Sequence, residues 1–316
     1  MTKTATKLFI ILFALSTLQV TAQKKAAHEF SIYADGGIAT YLFYPLNSNF
    51  SPTNYNSIYE ARSKVNTSVG FSSDFGVGFT GFLSHQVGIH TSVGFGLYNV
   101  KTRANLYTLR TGLYDSNNNE YFDLHTLVTD YTEIHKTMFV TIPLMIQFQQ
   151  RQKQYWDWTR SQKAGFYAMG GIRVHFLFNN KYESGIMALD NAAYLTEYKN
   201  WAATQMFVGL GHFEGQNGAP MISSSGKLDF GVMAMFALET GVKWRVDNNI
   251  FVYTGVFFDC GLNDPIRDKR QPYEDLDYTS NNRLENFSVM NFSERVNLMV
   301  VGVKVRVAFS RRQRGY

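Results

Sequence analysis

Apolar residues alternate with small or polar residues along several segments of the chain. The alternation is clearest over residues 87–98, where one face is apolar and the other carries Gly, His, Ser and Tyr. A period of two residues indicates a β-strand whose two faces meet different surroundings. The segments with this pattern, each predicted to be a strand, are 29–43, 71–83, 87–98, 138–148, 165–178, 228–244, 250–262 and 297–309.

The connections between these segments alternate in length. Those after the second, fourth and sixth predicted strands are short or moderate: 84–86, 151–162 and 247–249. Those after the odd-numbered strands are long and rich in Asn, Ser, Tyr and Gly: 44–68, 101–137, 181–226 and 263–296. A tilted strand crosses a bilayer in about 9–11 residues, and short turns at one end with long loops at the other are typical of bacterial outer-membrane barrels. We therefore predict an all-β fold, a single antiparallel up-and-down transmembrane β-barrel of about eight strands.

The first 22 residues follow a different pattern. Lys3 and Lys7 precede an apolar run over residues 8–15, and Ala22 is a small residue at an acceptable cleavage site. The run is shorter than the roughly 20 apolar residues of a membrane-spanning helix, and this arrangement is that of a secretory signal peptide. We predict a signal peptide over residues 1–22 and one barrel domain over residues 23–316.

Composition favours a membrane barrel over a soluble domain. Charged residues form 17% of the chain, whereas a soluble domain has about 25%. The mean hydropathy of −0.19 is too low for a helical membrane protein, and a barrel lies between these classes because half of each strand is polar. The net charge of +5 comes from scattered basic residues, so no nucleic-acid partner is predicted. Cys260 is the single cysteine, which excludes an intrachain disulfide.

The faces opposite the apolar ones collect ionisable residues of both signs. A Lys or Arg facing lipid at the midplane costs about 2–4 kcal/mol, so these faces are predicted to point into the barrel and form ion pairs. The interior of an eight-stranded barrel is just wide enough for side chains to fill it, and we expect a filled lumen. The predicted interior polar network consists of Asp35, Asp74, His90, Arg173, His175, Asp229, Glu239, Lys243, Asp259, Lys304 and Arg306.

Some of these residues also have a catalytic interpretation. The alternatives are a metal or general-base site at His90 and His175, and catalytic pairs among Asp35, Asp74, Glu239 and Asp259. The sequence contains no His-Glu-x-x-His or paired-Cys metal spacing and no Gly-x-Ser-x-Gly nucleophile elbow. Charge balance inside a barrel explains both sets more simply. We predict a protein without enzymatic activity and without a catalytic, cofactor-binding or metal site.

Aromatic residues in the connections have two interpretations each. Tyr155, Trp156 and Trp158 in one turn belong either to a periplasmic aromatic girdle or to ordinary packing under that turn. Aromatic side chains in the long loops form either a binding surface or contacts between loops. These loop residues are Tyr55, Tyr59, Tyr107, Tyr114, Tyr121 and Phe122.

Three segments contain recognisable motifs. Residues 139–148 (FVTIPLMIQF) contain an isoleucine-proline-leucine step, residues 166–174 (FYAMGGIRV) combine aromatic residues with a glycine pair, and residues 255–264 (GVFFDCGLND) contain an aromatic pair and a glycine-leucine step. In their order and spacing these segments resemble PorT-like outer-membrane β-barrel proteins of Bacteroidota. The long loops and Cys260 depart from the family. The resemblance implies an eight-stranded outer-membrane barrel and, for some members, a role in secretion or gliding machinery.

The leading hypothesis is a non-enzymatic surface or assembly protein in the bacterial outer membrane. Its barrel would be surrounded by outer-membrane lipid, and its long loops would contact an envelope or secretion-machinery protein. A narrow outer-membrane transport channel is the alternative. A third hypothesis is a membrane-embedded enzyme at the loop rim, with Asp35, Asp74 or His90 taking part in turnover.

Overall fold

The structure is a computed structural model, and it describes most of the chain after residue 27. The described residues are 28–45, 47–50, 59–67, 69–115, 120–150, 163–186, 188–195, 206–214, 222–247, 249–267 and 288–311. The predicted signal peptide, residues 1–22, lies outside them. Among the described residues, no helix has the length and the apolar character needed to cross a membrane.

In the described part of the chain, thirteen strands form a single sheet. A short 3-10 helix, Val289–Phe292, precedes the last of them. In chain order the strands are β1 His28–Pro45, β2 Asn47–Phe50, β3 Tyr59–Thr67, β4 Gly70–Phe82, β5 Val87–Asp115, β6 Glu120–Gln149, β7 Ala164–Ile186, β8 Ala188–Leu195, β9 Met206–Glu214, β10 Ile222–Lys227, β11 Val232–Arg245, β12 Ile250–Gly261 and β13 Ser293–Arg311.

The sheet closes on itself through eight of these strands. The pairing runs in the order β1, β4, β5, β6, β7, β11, β12, β13 and returns to β1, and every pairing is antiparallel. The first and last strands close the ring over a long ladder, from His28 opposite Arg311 to Pro45 opposite Ser293. The predicted eight-stranded up-and-down barrel is confirmed.

The outer surface of this ring is apolar. Phe30 and Ile32 on β1, Phe75 on β4 and Val303 on β13 each expose more than half of their side chains. A water-soluble monomer does not surround itself with such a belt, because its apolar patches cover only a few hundred Å². We call this band of outward-facing apolar side chains the apolar belt.

The strands extend further than predicted at the end of the barrel that carries the long connections, here called the loop end. Residues 101–137 were predicted to be a loop, but β5 continues to Asp115 and β6 begins at Glu120. The short strands β2, β3, β8, β9 and β10 enlarge this extension at the loop end by pairing with β3, β5, β6, β8 and β7, respectively. The predicted loop boundaries at 44–68, 181–226 and 263–296 are therefore also wrong.

The cause of this error lies in the direction of the alternation. Within the apolar belt β5 points Val93 and Leu97 outward, but above the belt it points Val100 and Ala104 inward and Lys101 outward. On β5 the outward face therefore changes from apolar to polar, while the inward face changes from polar to apolar. A search for apolar residues on one constant face ends where this switch occurs.

Inward-facing glycines make room for large interior side chains. An added Cβ at Gly94 would lie 2.5 Å from Asp74 Oδ1 and would also clash with Tyr33 Oη. At Gly255 the added Cβ would lie 2.6 Å from Tyr167 Oη. At the outward-facing Gly36 the nearest atom is a backbone oxygen 4.0 Å away.

The Gly94→Val substitution should destabilise the barrel. Overpacking of a filled interior costs about 1–3 kcal/mol, whereas Gly36→Val makes the same change on an outward face with open space and serves as the matched control. Urea unfolding in lipid vesicles, followed by tryptophan fluorescence, measures both. Equal midpoints for the two variants would contradict a close-packed lumen.

Candidate functional site

The barrel interior is the candidate site, because ionisable side chains from many strands converge there. Among the described residues the interior has two layers. The polar layer lies toward the end with the short turns, here called the turn end, and the apolar layer lies toward the loop end. Ten of the predicted network residues are buried: Asp35, Asp74, His90, Arg173, His175, Glu239, Lys243, Asp259, Lys304 and Arg306.

Arg173 is at the centre of the polar layer. Its Nη1 donates a hydrogen bond to Asp259 Oδ2 at 2.8 Å and lies 4.0 Å from Asp35 Oδ2. Lys304 continues the cluster, with Nζ 3.9 Å from Asp35 Oδ2 and 3.3 Å from Glu239 Oε2. These five residues come from β1, β7, β11, β12 and β13. Ion pairs therefore link strands on opposite sides of the lumen.

A second group of contacts lies nearer the turn end. Lys243 Nζ donates to Glu29 Oε1 at 2.7 Å and to Gln149 Oε1 at 3.0 Å, and Tyr253 Oη donates to Glu29 Oε2 at 2.6 Å. The Lys243 ammonium also lies 4.2 Å from the centroid of the Phe251 ring, within the range of a cation–π contact. The sequence analysis missed Glu29, although Glu29 shares the inward face of β1 with Asp35.

Arg306 connects the two groups to His90. Its Nη2 donates to Gln147 Oε1 at 3.2 Å, its Nη1 contacts His90 Nδ1 at 3.2 Å, and its guanidinium carbon lies 4.0 Å from the centroid of the Tyr253 ring. An arginine only donates hydrogen bonds, so His90 Nδ1 must accept and this nitrogen is not available to bind a metal. Across the described part of the chain, no group of three or more His, Cys, Asp or Glu residues is arranged to hold a metal ion.

His175 lies at the boundary between the two layers. Tyr98 Oη is 3.2 Å from His175 Nδ1, and the Phe139 ring lies 4.7 Å from the imidazole, centroid to centroid. Aromatic neighbours on β5 and β6 therefore pack around this histidine.

Asp229 is a correction to the predicted network. The alternation from residue 228 onward placed Asp229 inside, but its side chain is exposed and β11 begins only at Val232. Phe230 is buried instead, and its backbone forms an isolated bridge with Ile266. Residues 228–231 leave the ladder, so the inward and outward faces exchange before β11 begins.

The charges of the described polar layer balance. Five buried cations face five buried carboxylates: Arg173, Lys243, Arg245, Lys304 and Arg306 against Glu29, Asp35, Asp74, Glu239 and Asp259. Asp74 lies opposite Asp35 in the ladder and accepts a hydrogen bond from Tyr33 Oη at 3.1 Å. The arrangement cross-braces the barrel, because its ion pairs join side chains from strands on opposite sides of the lumen.

The apolar layer contains a polar contact that the sequence analysis missed. Glu133 is fully buried and accepts hydrogen bonds from Tyr131 Oη at 2.5 Å, from Ser288 Oγ at 2.5 Å and from Val289 N at 2.7 Å. Glu133 was missed because it falls in the predicted loop 101–137. Continuing the alternation upstream from residue 138 would have placed Tyr131, Glu133 and His135 on one inward face.

The aromatic residues of the connections are only partly described. The rings of Tyr114 and Tyr121 lie 5.1 Å apart, centroid to centroid, at the exposed tip of the β5–β6 hairpin. Tyr107 instead makes a 2.7 Å contact with His125 Nδ1. Phe122 pairs with Leu195 of β8, and Tyr59 begins β3. Tyr55, Tyr155, Trp156 and Trp158 lie outside the described residues.

Neither a protein-family model nor a curated protein matches the sequence. Among solved structures, the chain is similar to the outer membrane protein OprG from Pseudomonas aeruginosa, with a TM-score of 0.31, 7% identity, and coverage of 90% of this chain and 96% of that chain. It is also similar to Ail, the attachment invasion locus protein of Yersinia pestis, with a TM-score of 0.27, 8% identity, and coverage of 92% of this chain and 100% of that chain. TM-scores this low carry no weight for the fold, which is established by the closed strand pairing of the chain itself.

Substitutions at Arg173 and Asp259 should have strongly non-additive effects on the free energy of unfolding. Removing one partner of a buried ion pair costs about 3–5 kcal/mol, because it leaves an uncompensated charge, whereas replacing both with apolar residues is often neutral. Arg173→Met should therefore lower the free energy of unfolding far more than the Arg173→Met, Asp259→Leu double variant. Urea unfolding in vesicles gives the free energy of unfolding of the parent, the two single variants and the double variant. Purely additive losses of this free energy would contradict the cross-bracing role.

Proposed function

We propose that this chain is an integral protein of the bacterial outer membrane, with a non-enzymatic role in surface contact, assembly or secretion. The observation that supports it best is the combination of a closed ring of strands, an apolar belt outside and an ion-paired interior. In this proposal the barrel is the anchor, outer-membrane lipid surrounds the apolar belt, and the loop end contacts an envelope or secretion-machinery protein.

The support for a membrane location is thermodynamic. In hydrocarbon, each unpaired backbone N–H or C=O costs several kcal/mol, so a sheet can span a membrane only when it closes. In water, the same ring would leave Phe30, Phe75 and Val303 exposed without compensation. The short turns and the long loop-end extension match the periplasmic turns and outward loops of bacterial barrels.

The support for a contact role is the length of the loop-end extension. β5 and β6 contain 29 and 30 residues, although a membrane crossing takes only about 9–11. The excess forms a hairpin that presents the Tyr114–Tyr121 pair at its tip. Exposed tyrosines are enriched where proteins bind partners. The resemblance to PorT-like proteins supports secretion or gliding machinery as the partner class.

A charge placed in the apolar belt should test the membrane location directly. Val303→Arg puts a cation at the middle of β13, where it should cost about 2–4 kcal/mol of stability in lipid, and Val246→Arg puts the same cation at the turn end, where it should cost about 0–1 kcal/mol. Val303 and Val246 are similarly exposed. Unfolding in vesicles measures the difference, and two small, equal effects would favour a water-soluble barrel.

The contact role can be tested in intact cells. A photo-crosslinking residue at Tyr121 should capture one discrete envelope protein, whereas the same residue at Phe309 near the turn end should not capture it. Planar-bilayer recordings of the purified barrel should show no steady openings. Steady conductance without a crosslinked product would favour the narrow channel instead. Measurable turnover lost in Asp74→Asn or His90→Gln would favour an enzyme, with its site in the buried polar layer and not at the loop rim.

A further inference from the structure

The last residues of the connection between β12 and β13, which are described from Ser288 onward, lie in the mouth of the barrel at the loop end. Ser288, Val289 and Met290 are fully buried there. Val289 and Met290 belong to the apolar core that includes Tyr41, Val100 and Phe139 from three ring strands. We call residues 288–292, which contain the short 3-10 helix, the plug segment. It belongs to none of the strands, so no ladder of backbone hydrogen bonds holds it inside the barrel.

The polar attachment of the plug segment is concentrated on one side chain. Glu133 of β6 accepts from the Ser288 hydroxyl at its Oε1 and from the Val289 amide at its Oε2. The Ser288 hydroxyl in turn lies 3.2 Å from Met290 N and accepts its hydrogen bond. Glu133 therefore contacts Ser288 and Val289 directly, and the Ser288 hydroxyl links it to Met290.

Glu133 lies beyond the membrane-spanning part of β6. An exposed ion pair, Lys136 Nζ to Glu183 Oε1 at 2.8 Å, points outward from the strand three residues nearer the apolar belt. A charged pair facing outward marks the level at which the surroundings become aqueous. The plug segment therefore sits above the lipid, between the aqueous loop end and the polar layer.

We propose that the plug segment is a displaceable closure of the barrel mouth, latched by Glu133, and that the protonation state of Glu133 sets how often it opens. The displaced state exposes Glu133 to water and opens the apolar layer of the interior to the aqueous side. The inference concerns the loop end alone and does not depend on the proposed contact role.

The direction of the pH dependence follows from the surroundings of Glu133. Burial raises the pKa of Glu133 from its ordinary value of 4.5 to about 7. The closed state thus holds a proton that the open state releases, and opening becomes more favourable as the pH rises from about 4.5 to about 7, with no further change above that. Protonation keeps the latch intact, because a protonated carboxyl still accepts from the Val289 amide while its O–H donates to a hydroxyl oxygen.

The other titratable groups near Glu133 keep the same protonation state over this pH range. On β6 these are Tyr131 and His135, whose Nε2 lies 3.0 Å from Glu133 Oε1. Burial lowers the pKa of His135 to about 3, so His135 is neutral throughout. Tyr41 of β1 packs edge-on against His135, and Tyr182 of β7 lies beside Tyr131. The phenol of a tyrosine ordinarily has a pKa of about 10, so these tyrosines stay neutral. Burial raises the pKa of Glu133, and hydrogen bonds from Ser288, Tyr131 and Val289 lower it.

Thiol labelling of the folded barrel tests the proposal. The probe is Met290→Cys in a Cys260→Ala background, treated with a membrane-impermeant maleimide. Its labelling rate is divided by that of Tyr121→Cys at the exposed hairpin tip, which removes the pH dependence of the reagent. The ratio should rise at least about tenfold between about pH 5 and about pH 7 and then level off.

Three variants make the experiment decisive. Each is checked by gel electrophoresis, because a folded barrel shows different mobility in unheated and heated samples. Glu133→Gln should keep the ratio low at every pH, because its amide stays uncharged. Glu183→Gln, the same change at an exposed site, should behave as the parent. Ser288→Ala removes one latch contact and should raise the ratio at every pH. A Glu133→Gln profile identical to the parent, or Ser288→Ala without effect, would overturn the proposal.

Discussion

The hydrogen-bonding requirement of the peptide backbone is the constraint on which the structure depends. Each of the two edge strands of an open sheet has one row of unpaired N–H and C=O groups, and hydrocarbon offers these groups no partner. Pairing β1 with β13 removes both edges at once. The apolar belt, the inward polar layer and the placement of irregular chain at the two ends all follow, because only the closed ring is compatible with lipid on every side.

Closure of the sheet also creates an interior that inward side chains must fill. Half of the side chains of each strand must fit into a narrow lumen, so glycines such as Gly94 and Gly255 stand beside tyrosines, and charges of both signs meet there in near balance. At the loop end the interior becomes apolar and resembles the core of a soluble domain. Along the barrel axis the interior changes from polar to apolar where the outer face of a strand such as β5 changes from apolar to polar.

The sequence predicted the structure best where a strand has an apolar outward face and a polar inward face. The spanning segments, the closed barrel and ten inward ionisable residues could be predicted from alternation alone. The prediction failed above the apolar belt, where Val100 and Ala104 point inward and Lys101 outward, because the expected contrast is reversed there. It failed at Asp229 because four residues leave the ladder before β11, and it missed Glu133 because a strand had been taken for a loop. Hydrogen-bond partners such as Ser288 and Glu133, 155 residues apart, leave no trace in local periodicity.

The ladder between β1 and β13 also determines the order of assembly. His28 and Arg311 lie at opposite ends of the described chain, yet they are neighbours in the finished sheet. Bringing such distant segments together carries the greatest chain-entropy cost and follows the formation of local hairpins. Until β13 arrives, both flanking strands carry unsatisfied edges. A partly assembled sheet therefore exposes two strand edges that can pair with another chain, and closure of the ring removes both.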